Sequence, residues 1–241
     1  MDLSIIIPAY REAAKVRQDV EAAGLFLERA GLKGEIIVVD DGSPDGTREA
    51  ALAAQVPEGV VCRVIRLEPR CGKGCAVRTG MLASRGRFAL FADVGLCVPL
   101  EFALRAMEMI RRGECDIVHG SRKLPDSIII RPQTLYRRLC SRLFRLVVRL
   151  AMGIPDEFTD TQCGFKVYRG DVARRLYGEC FSNGFMFDVE ILLRALRHGY
   201  RVKELPVEWR CDLDSRLSPA RSAKDTLAEL AAIKKAMKQG Y

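Results

Sequence analysis

Short, apolar, β-branched runs alternate with longer amphipathic stretches through the first half of the chain. They read LSIII, then roughly 12–30; EIIVV, then 45–54; CRVIRL, then 74–85; FALFA, then 100–112; and finally DIVHG. Apolar runs of about four to six residues with no polar face predict strands covered on both sides by crossover helices, the pattern of a parallel α/β sheet. Ligands of such sheets sit outside the carboxyl ends of the strands. The loops that matter are then PAYRE, DDGSPDG, EPRCGKG, ADVGLCVP and GSRK. The second half predicts a basic helix near 133–152, a polar loop DEFTDTQCG and a strand FKVYR. Helices near 171–179 and 187–198, the segment YRVKELPVEW and a last helix near 220–238 complete it. With 241 residues and no Gly/Ser/Pro-rich linker, one domain is expected.

Composition narrows the partners. The formal charge of +8 favours phosphates, lipid headgroups or nucleic acid, and charge alone does not choose among them. The nine cysteines are scattered, odd in number and without paired metal spacing, so they read as reduced thiols and point to the cytoplasm. The first residues, MDLSIIIPAY, lack a basic region before the apolar one, and no run of 18 apolar residues occurs. The expectation is a chain neither secreted nor membrane-spanning.

In VVDDGSPDG, Asp40 and Asp41 follow a buried strand, where carboxylates accept hydrogen bonds from a base or a ribose. The same residues also suit a plain turn, with Ser43 or Asp45 capping the next helix, and both readings stand. EPRCGKG is not a Walker motif, because Leu67 stands where the first glycine belongs and Gly74 follows Lys73. Gly72 and Gly74 let backbone approach a ligand, and Lys73 adds a positive charge near a helix start. Asp93 ends the apolar strand FALFA, so its charge calls for a metal, a ligand or a helix cap.

Taken together, the loops resemble those of family 2 glycosyltransferases with the GT-A fold, and most of all the polyprenyl-phosphate hexose synthases. The stretches that carry the likeness are IIIPAYRE, VVDDGSPDGT, GKGCAVRTGM, FADVGLCVP, VHGSR, DTQCGFKVYR, FMFDVEILLRA and GYRVKELPVEW, in family order. The resemblance implies a Rossmann-like, mostly parallel sheet flanked by helices in a single domain. Residues 1–122 would hold the nucleotide sugar and residues 123–241 the acceptor. Pro8, Tyr10, Glu12, Asp40 and Asp41 would form the nucleotide pocket, with Arg11 in place of the family's usual Asn. Lys73 would wall the sugar, and Arg210 and Arg216 would reach the diphosphate from a closing loop. Asp93 matches the first aspartate of a metal-binding D-x-D, while Gly95 falls on the second. The implied cofactor is Mg²⁺ or Mn²⁺ on Asp93, with Gln162, Asp160 or His119 available to help. Asp160 would position the sugar, and Arg122 and Arg131 would grip the acceptor phosphate.

The implied reaction is transfer of a hexose, glucose before mannose, from UDP-glucose or GDP-mannose to a polyprenyl phosphate with inversion. Two alternatives stand beside it: a silent nucleotide-sugar binder, because of Gly95, and an enzyme with a non-lipid acceptor. In RPQTLYRRLCSRLFRLVVRLAMG, Arg138, Arg142, Arg145 and Arg149 recur at helical spacing among leucines and valines. This is a basic amphipathic helix, read either as a solvated face or as a contact with an anionic membrane surface. Localisation at the cytoplasmic membrane face follows from the second reading. Nucleic acid is not expected, because stacking aromatics do not interleave with the arginines. Trp209 reads as a core or rim aromatic.

Overall fold

The run GEIIVVD becomes β2 (Gly34–Asp40), buried at every position. Its alternating side chains serve two layers: Ile36 and Val38 pack with α1 (Val16–Arg29), and Ile37 and Val39 with Ala76 of α3 (Lys73–Ala83). A strand buried on both faces needs no polar side, which is why its sequence is a continuous apolar run. The computed structural model describes residues 1–131, 145–210 and 223–239.

The sheet has seven strands in the order β3-β2-β1-β4-β7-β5-β8. They are β1 (Leu3–Ala9), β2, β3 (Val61–Arg66), β4 (Phe88–Ala92), β5 (Ile117–Ser121), β7 (Phe165–Arg169) and β8 (Val202–Pro206). All neighbouring pairs are parallel except those of β7, which runs antiparallel between β4 and β5. The GT-A arrangement expected from the sequence is present: a mostly parallel sheet with helices on both sides. Along α1, Val16, Val20, Ala23 and Leu27 are buried at helical spacing, so one stripe of the helix meets the sheet.

The remaining helices are α2 (Thr47–Leu52), α4 (Phe102–Arg111), α5 (residues 145–152), α6 (Gly170–Glu179), α7 (Phe187–Arg197) and α8 (Ala223–Gln239). Leu230 and Ile233 of α8 pack with Val189 and Leu192 of α7 and with Val148, Ile154 and Phe158. The segment YRVKELPVEW divides after Pro206 into β8 and β9 (Glu208–Arg210). The latter pairs in parallel with a strand that the sequence did not announce, β6 (Ile128–Arg131). Trp209 belongs to the core, as its reading proposed. Much of the basic helix expected over 133–152 lies outside the described residues.

One expectation is corrected. Cys71 and Cys75 form a disulfide. Cys71 lies in the loop just before α3 and Cys75 in the helix's first turn; the chain turns at Gly72, φ +105°, and leaves their Cα atoms 5.9 Å apart, a spacing that a disulfide spans. The inference from reduced thiols to the cytoplasm fails for this pair.

Candidate functional site

At the carboxyl end of β4, Asp93 receives the Lys73 ammonium at 2.7 Å on Oδ1. Both side chains keep some access to solvent, 33% for Asp93 and 25% for Lys73. Burial opposes the lysine's charge, but Asp93 and then Asp188 outweigh it and raise its pKa. Lys73 therefore stays an ammonium at neutral pH. On its other side Asp93 lies against Gly164, where an added Cβ would run into the carboxylate. The glycine of DTQCG thus makes room for Asp93, and the Asp93 amide donates to the Gly164 carbonyl at 3.0 Å.

Gly95 has φ +88°, in the left-handed region that glycine enters without steric cost, and its amide donates to Asp19 Oδ2 at 2.7 Å. Backbone conformation thus favours glycine where the family motif would place an aspartate. No cluster of three or more His, Cys, Asp or Glu side chains suited to a metal is found among the described residues. A hard cation can still use one carboxylate completed by phosphate oxygens and water. Asp93 fits that lean arrangement. Gln162 sits, partly buried, two residues before Gly164. His119 does not fit: it is buried, and neither ring nitrogen has a hydrogen-bond partner among the described residues. Burial, then the Lys166 charge, lowers its pKa well below the ordinary histidine range, so it is neutral.

The glycines of GKG have another task than the one expected. The space beside Gly72 and Gly74 is filled by the backbone of Ser182, Asn183 and Gly184, and the Gly74 amide donates to the Asn183 carbonyl at 2.8 Å. They admit protein backbone, not ligand, and so seat the start of α3. Asp40 and Asp41 are also engaged. Asp40 accepts from the Ser43 amide at 3.0 Å and pairs with Arg66 at 3.4 Å. Asp41 Oδ1 accepts from the Cys71 and Gly72 amides at 2.8 and 3.0 Å, and Oδ2 meets Arg70 at 3.3 Å. Both are buried and hold loops in place, as the turn reading has it.

Tyr10 lies beneath Arg70, whose guanidinium is 3.9 Å from the ring centroid. Arg11 takes a left-handed φ of +57°, and its amide donates to Ser43 Oγ at 2.9 Å. Asn tolerates that conformation better than Arg, which gives a physical reason for the family's Asn. The Glu12 amide donates to Thr47 Oγ1 at 2.8 Å, and Pro8 is opposite Val39 in the sheet register.

Past β5, Asp160 is wholly buried and both its oxygens face Arg122: Nε to Oδ2 at 2.6 Å and Nη2 to Oδ1 at 2.7 Å. Burial pushes the Asp160 carboxyl up, and the Arg122 charge and hydrogen bonds overcome this, leaving it below the usual carboxylate range. For Arg122 burial opposes the charge and Asp160 restores it, raising its pKa. The two residues read from the sequence as sugar-positioning and phosphate-gripping are thus brought together, with the Arg122 fork on Asp160. Glu204 of β8 ties the same loop by accepting from the Thr159 and Asp160 amides at 2.9 and 2.8 Å.

Beside this loop is a cavity of about 350 Å³ lined by Arg145, Leu146, Val148, Arg149, Ile154, Phe158, Thr159 and Thr161 among others. Arg210 is exposed at the end of β9, and its amide donates to the Cys97 carbonyl at 2.9 Å. The Arg131 side chain and all of Arg216 lie outside the described residues. Sequence reading missed Asp19, Arg70, Lys166, Asp188 and Glu204. A buried-charge argument of the kind applied to Asp93 would have found Lys166, the one ionisable residue inside the strand core FKV.

The sheet thus places a lysine and a partly exposed carboxylate at the carboxyl end of β4, the side on which ligands of α/β sheets bind. The family model of Glycosyl transferase family 2 matches residues 4–176, and the chain belongs to that family. It is 33% identical over 227 residues to Glycosyltransferase AglD of Haloferax volcanii, covering 92% of this chain and 35% of that protein. To a dolichyl-phosphate beta-glucosyltransferase of Dictyostelium discoideum it is 32% identical over 234 residues, covering 92% and 70%. The chain thus spans about a third of the first relative and about two thirds of the second. Among solved structures, glucosyl-3-phosphoglycerate synthase of Mycobacterium tuberculosis with Mn²⁺, UDP-glucose and phosphoglyceric acid shares the fold. Its TM-score is 0.68 at 18% identity, covering 98% of this chain and 79% of that one.

Proposed function

We propose that the protein transfers a hexose, with glucose the first choice and mannose the second, from a nucleotide sugar to a polyprenyl phosphate with inversion at the anomeric carbon. The observation that carries this reading is the partly exposed Lys73–Asp93 pair at the end of β4. An ammonium there neutralises the charge that develops on a departing nucleoside diphosphate. The Dictyostelium relative's name supports glucose and a lipid phosphate, and the mycobacterial structure's ligands support UDP.

Asp93 is the residue that would hold Mg²⁺ or Mn²⁺, with Gln162 nearby, and the ion would add positive charge at the diphosphate. The nucleotide base fits above Tyr10, where Arg70 now stacks. Arg70 is more than half exposed, so moving it aside to open Asp41 costs little. Pro8, Glu12 and Asp40 shape that wall through the loops they hold, and Arg210 and Arg216 are assigned to the donor diphosphate. The acceptor phosphate is already an anion near neutral pH, so no strong general base is needed. The protein's task is to hold acceptor oxygen and anomeric carbon in line.

Arg145 and Arg149 line the 350 Å³ cavity and suit the acceptor phosphate, with Arg131 in the same half of the chain; Arg149 pairs with the exposed Asp156 at 2.9 Å, a solvated contact that a phosphate displaces at small cost. Leu146, Val148, Ile154 and Phe158 in the same lining suit a prenyl chain. Leu146, Val147 and Leu150 of α5 are exposed, Leu150 by 71%, as are Ile128 and Ile130 of β6. Apolar side chains outside a basic rim favour contact with an anionic membrane surface at its cytoplasmic face. No helix among the described residues is long and apolar enough to cross a membrane.

The test is incubation with UDP-glucose or GDP-mannose and polyprenyl phosphate in liposomes, followed by counting labelled hexose in the organic phase. Labelled lipid from UDP-glucose is expected. Nucleoside diphosphate binding without any lipid product from either donor would favour the silent-binder reading, and transfer only to a non-lipid acceptor would overturn the lipid assignment.

A further inference from the structure

Between the two pairs described above lies a third that the proposed reaction does not yet use. Lys166 of β7 and Asp188 in the first turn of α7 meet at 2.8 Å, 0% and 5% exposed, and the Lys166 ammonium also donates to the Cys163 carbonyl at 2.7 Å. Burying two charges costs several kcal/mol per ion, and apolar residues of similar volume often serve stability as well or better. Stability alone is a weak reason for the pair.

Its place in the fold supplies a stronger one. In the sheet register Lys166 is opposite Phe91 of β4 and His119 of β5. Asp93 follows two residues after the first, and Arg122 three residues after the second. Lys166 thus sits on the strand that separates the donor side from the acceptor side. Asp188 follows the 182–184 backbone that packs on Gly72 and Gly74, and so lies under the Lys73 end of α3. Lys73 feels both Asp93 and Asp188. The Lys73 and Lys166 ammoniums lie over the same Phe91 ring, 5.3 and 5.7 Å from its centroid, and Asp188 pairs with the second at 2.8 Å. Burial raises the Asp188 pKa, and Lys166 and then Lys73 oppose that rise. His119, also beside Lys166, is neutral and supplies no alternative counter-charge.

We propose that Lys166 and Asp188 are positioning residues for the donor diphosphate: Lys166 holds Asp188, which leaves Lys73 on Asp93 in place to meet the phosphates. This rests on the nucleotide-sugar reading above. Without Lys166, the unpaired Asp188 carboxylate draws Lys73 inward and the diphosphate loses its cation.

Calorimetric titration with UDP and with GDP tests this on the parent chain, Lys73→Met, Lys166→Gln, and the double variant Lys73→Met/Lys166→Gln, with unfolding temperatures measured alongside. Gln keeps an N–H donor for Cys163 and Asp188, which protects the fold. Lys166→Met/Asp188→Asn serves as a second route, since it removes the competing carboxylate. Lys73→Met and Lys166→Gln are each expected to weaken the nucleotide about tenfold, or ~1.4 kcal/mol. The double variant should bind no more weakly than Lys73→Met alone, and Lys166→Met/Asp188→Asn should bind within threefold of the parent. Additive losses in the double variant, or parental affinity in folded Lys166→Gln, would overturn the inference and leave the proposed function standing. A parent that binds neither UDP nor GDP would overturn both.

Discussion

The Lys73–Asp93 pair and the Arg122–Asp160 pair are similar in length, 2.7 and 2.6 Å, and in the exposure of their cations, 25% and 20%, but differ in their carboxylates, 33% and 0% exposed. The first ends a strand of the parallel half and keeps solvent on both partners. The second buries its carboxylate entirely, fills both its oxygens with the guanidinium fork, and ties the 159–160 loop to β8 through Glu204. A carboxylate with solvent access can exchange its partner for water or a ligand, whereas a wholly buried one cannot lose its partner without stranding a charge. The two use the same chemistry for different ends in the proposed function: Lys73–Asp93 for binding the donor, and Arg122–Asp160 for holding the loop beside the cavity.

The largest effect should come from the buried side. Arg122→Met leaves Asp160 without its partner and is expected to cost about 3–5 kcal/mol of stability by urea unfolding. A cost below about 1 kcal/mol would show that Asp160 finds water or another cation, and would erase the contrast. Next, Gly164→Ala places a methyl group where the Asp93 carboxylate lies. Overpacking of this kind costs about 1–3 kcal/mol, and displacing Asp93 should also lower nucleotide affinity at least about tenfold. Unchanged affinity in a folded Gly164→Ala would mean that Asp93 does not meet the ligand.

Acid should weaken the fold through His119. Its folded pKa is depressed by burial, so below the ordinary value of 6.5 the unfolded chain takes up a proton that the folded chain refuses. Stability is therefore present above 6.5 and falls as pH drops toward the depressed value, by at most about 1.4 kcal/mol per pH unit from this one group. Asp160 acts in the same direction lower down: its contribution is present above the ordinary 3.8 and is lost as pH falls through its lowered value. Urea midpoints at pH 7 and 5.5 should separate the two, and His119→Leu should flatten that interval. The smallest effect concerns Arg11, whose left-handed φ costs an L residue about 1 kcal/mol. Arg11→Asn should recover part of this in thermal unfolding, and no gain would mean that Arg11 interactions offset the strain.

Much of the sheet was legible because two-sided burial writes itself as continuous apolar runs: EIIVV and FALFA have no other economical fold. β6 was not legible, since Ile128, Ile129 and Ile130 are exposed and carry neither a two-residue nor a helical burial signal. The site loops were legible as places, but the partners of individual side chains were not. Asp41 and Asp93 look alike in sequence, each a carboxylate after an apolar strand. One is consumed by the amides of residues 71 and 72, and the other is left to a lysine and the solvent. Likewise Gly72 and Gly74 look like a ligand cradle until residues 182–184, more than a hundred positions away, are found filling it. Long-range contacts of this kind have no local signature. The disulfide at Cys71 and Cys75 was hidden for a different reason, since counting cysteines does not reveal which two a loop turning into a helix brings together.

The central claim is that the exposed pair binds and the buried pair builds. The most direct measurement is the shift of unfolding temperature caused by saturating UDP with Mg²⁺, taken on the parent, Lys73→Met and Arg122→Met. Ligand that binds only the folded state raises that temperature. The account expects Lys73→Met to unfold near the parental temperature but lose most of the UDP-induced rise, and Arg122→Met to start several degrees lower yet keep the rise. A full UDP-induced rise in Lys73→Met, or its loss in a folded Arg122→Met, would contradict it.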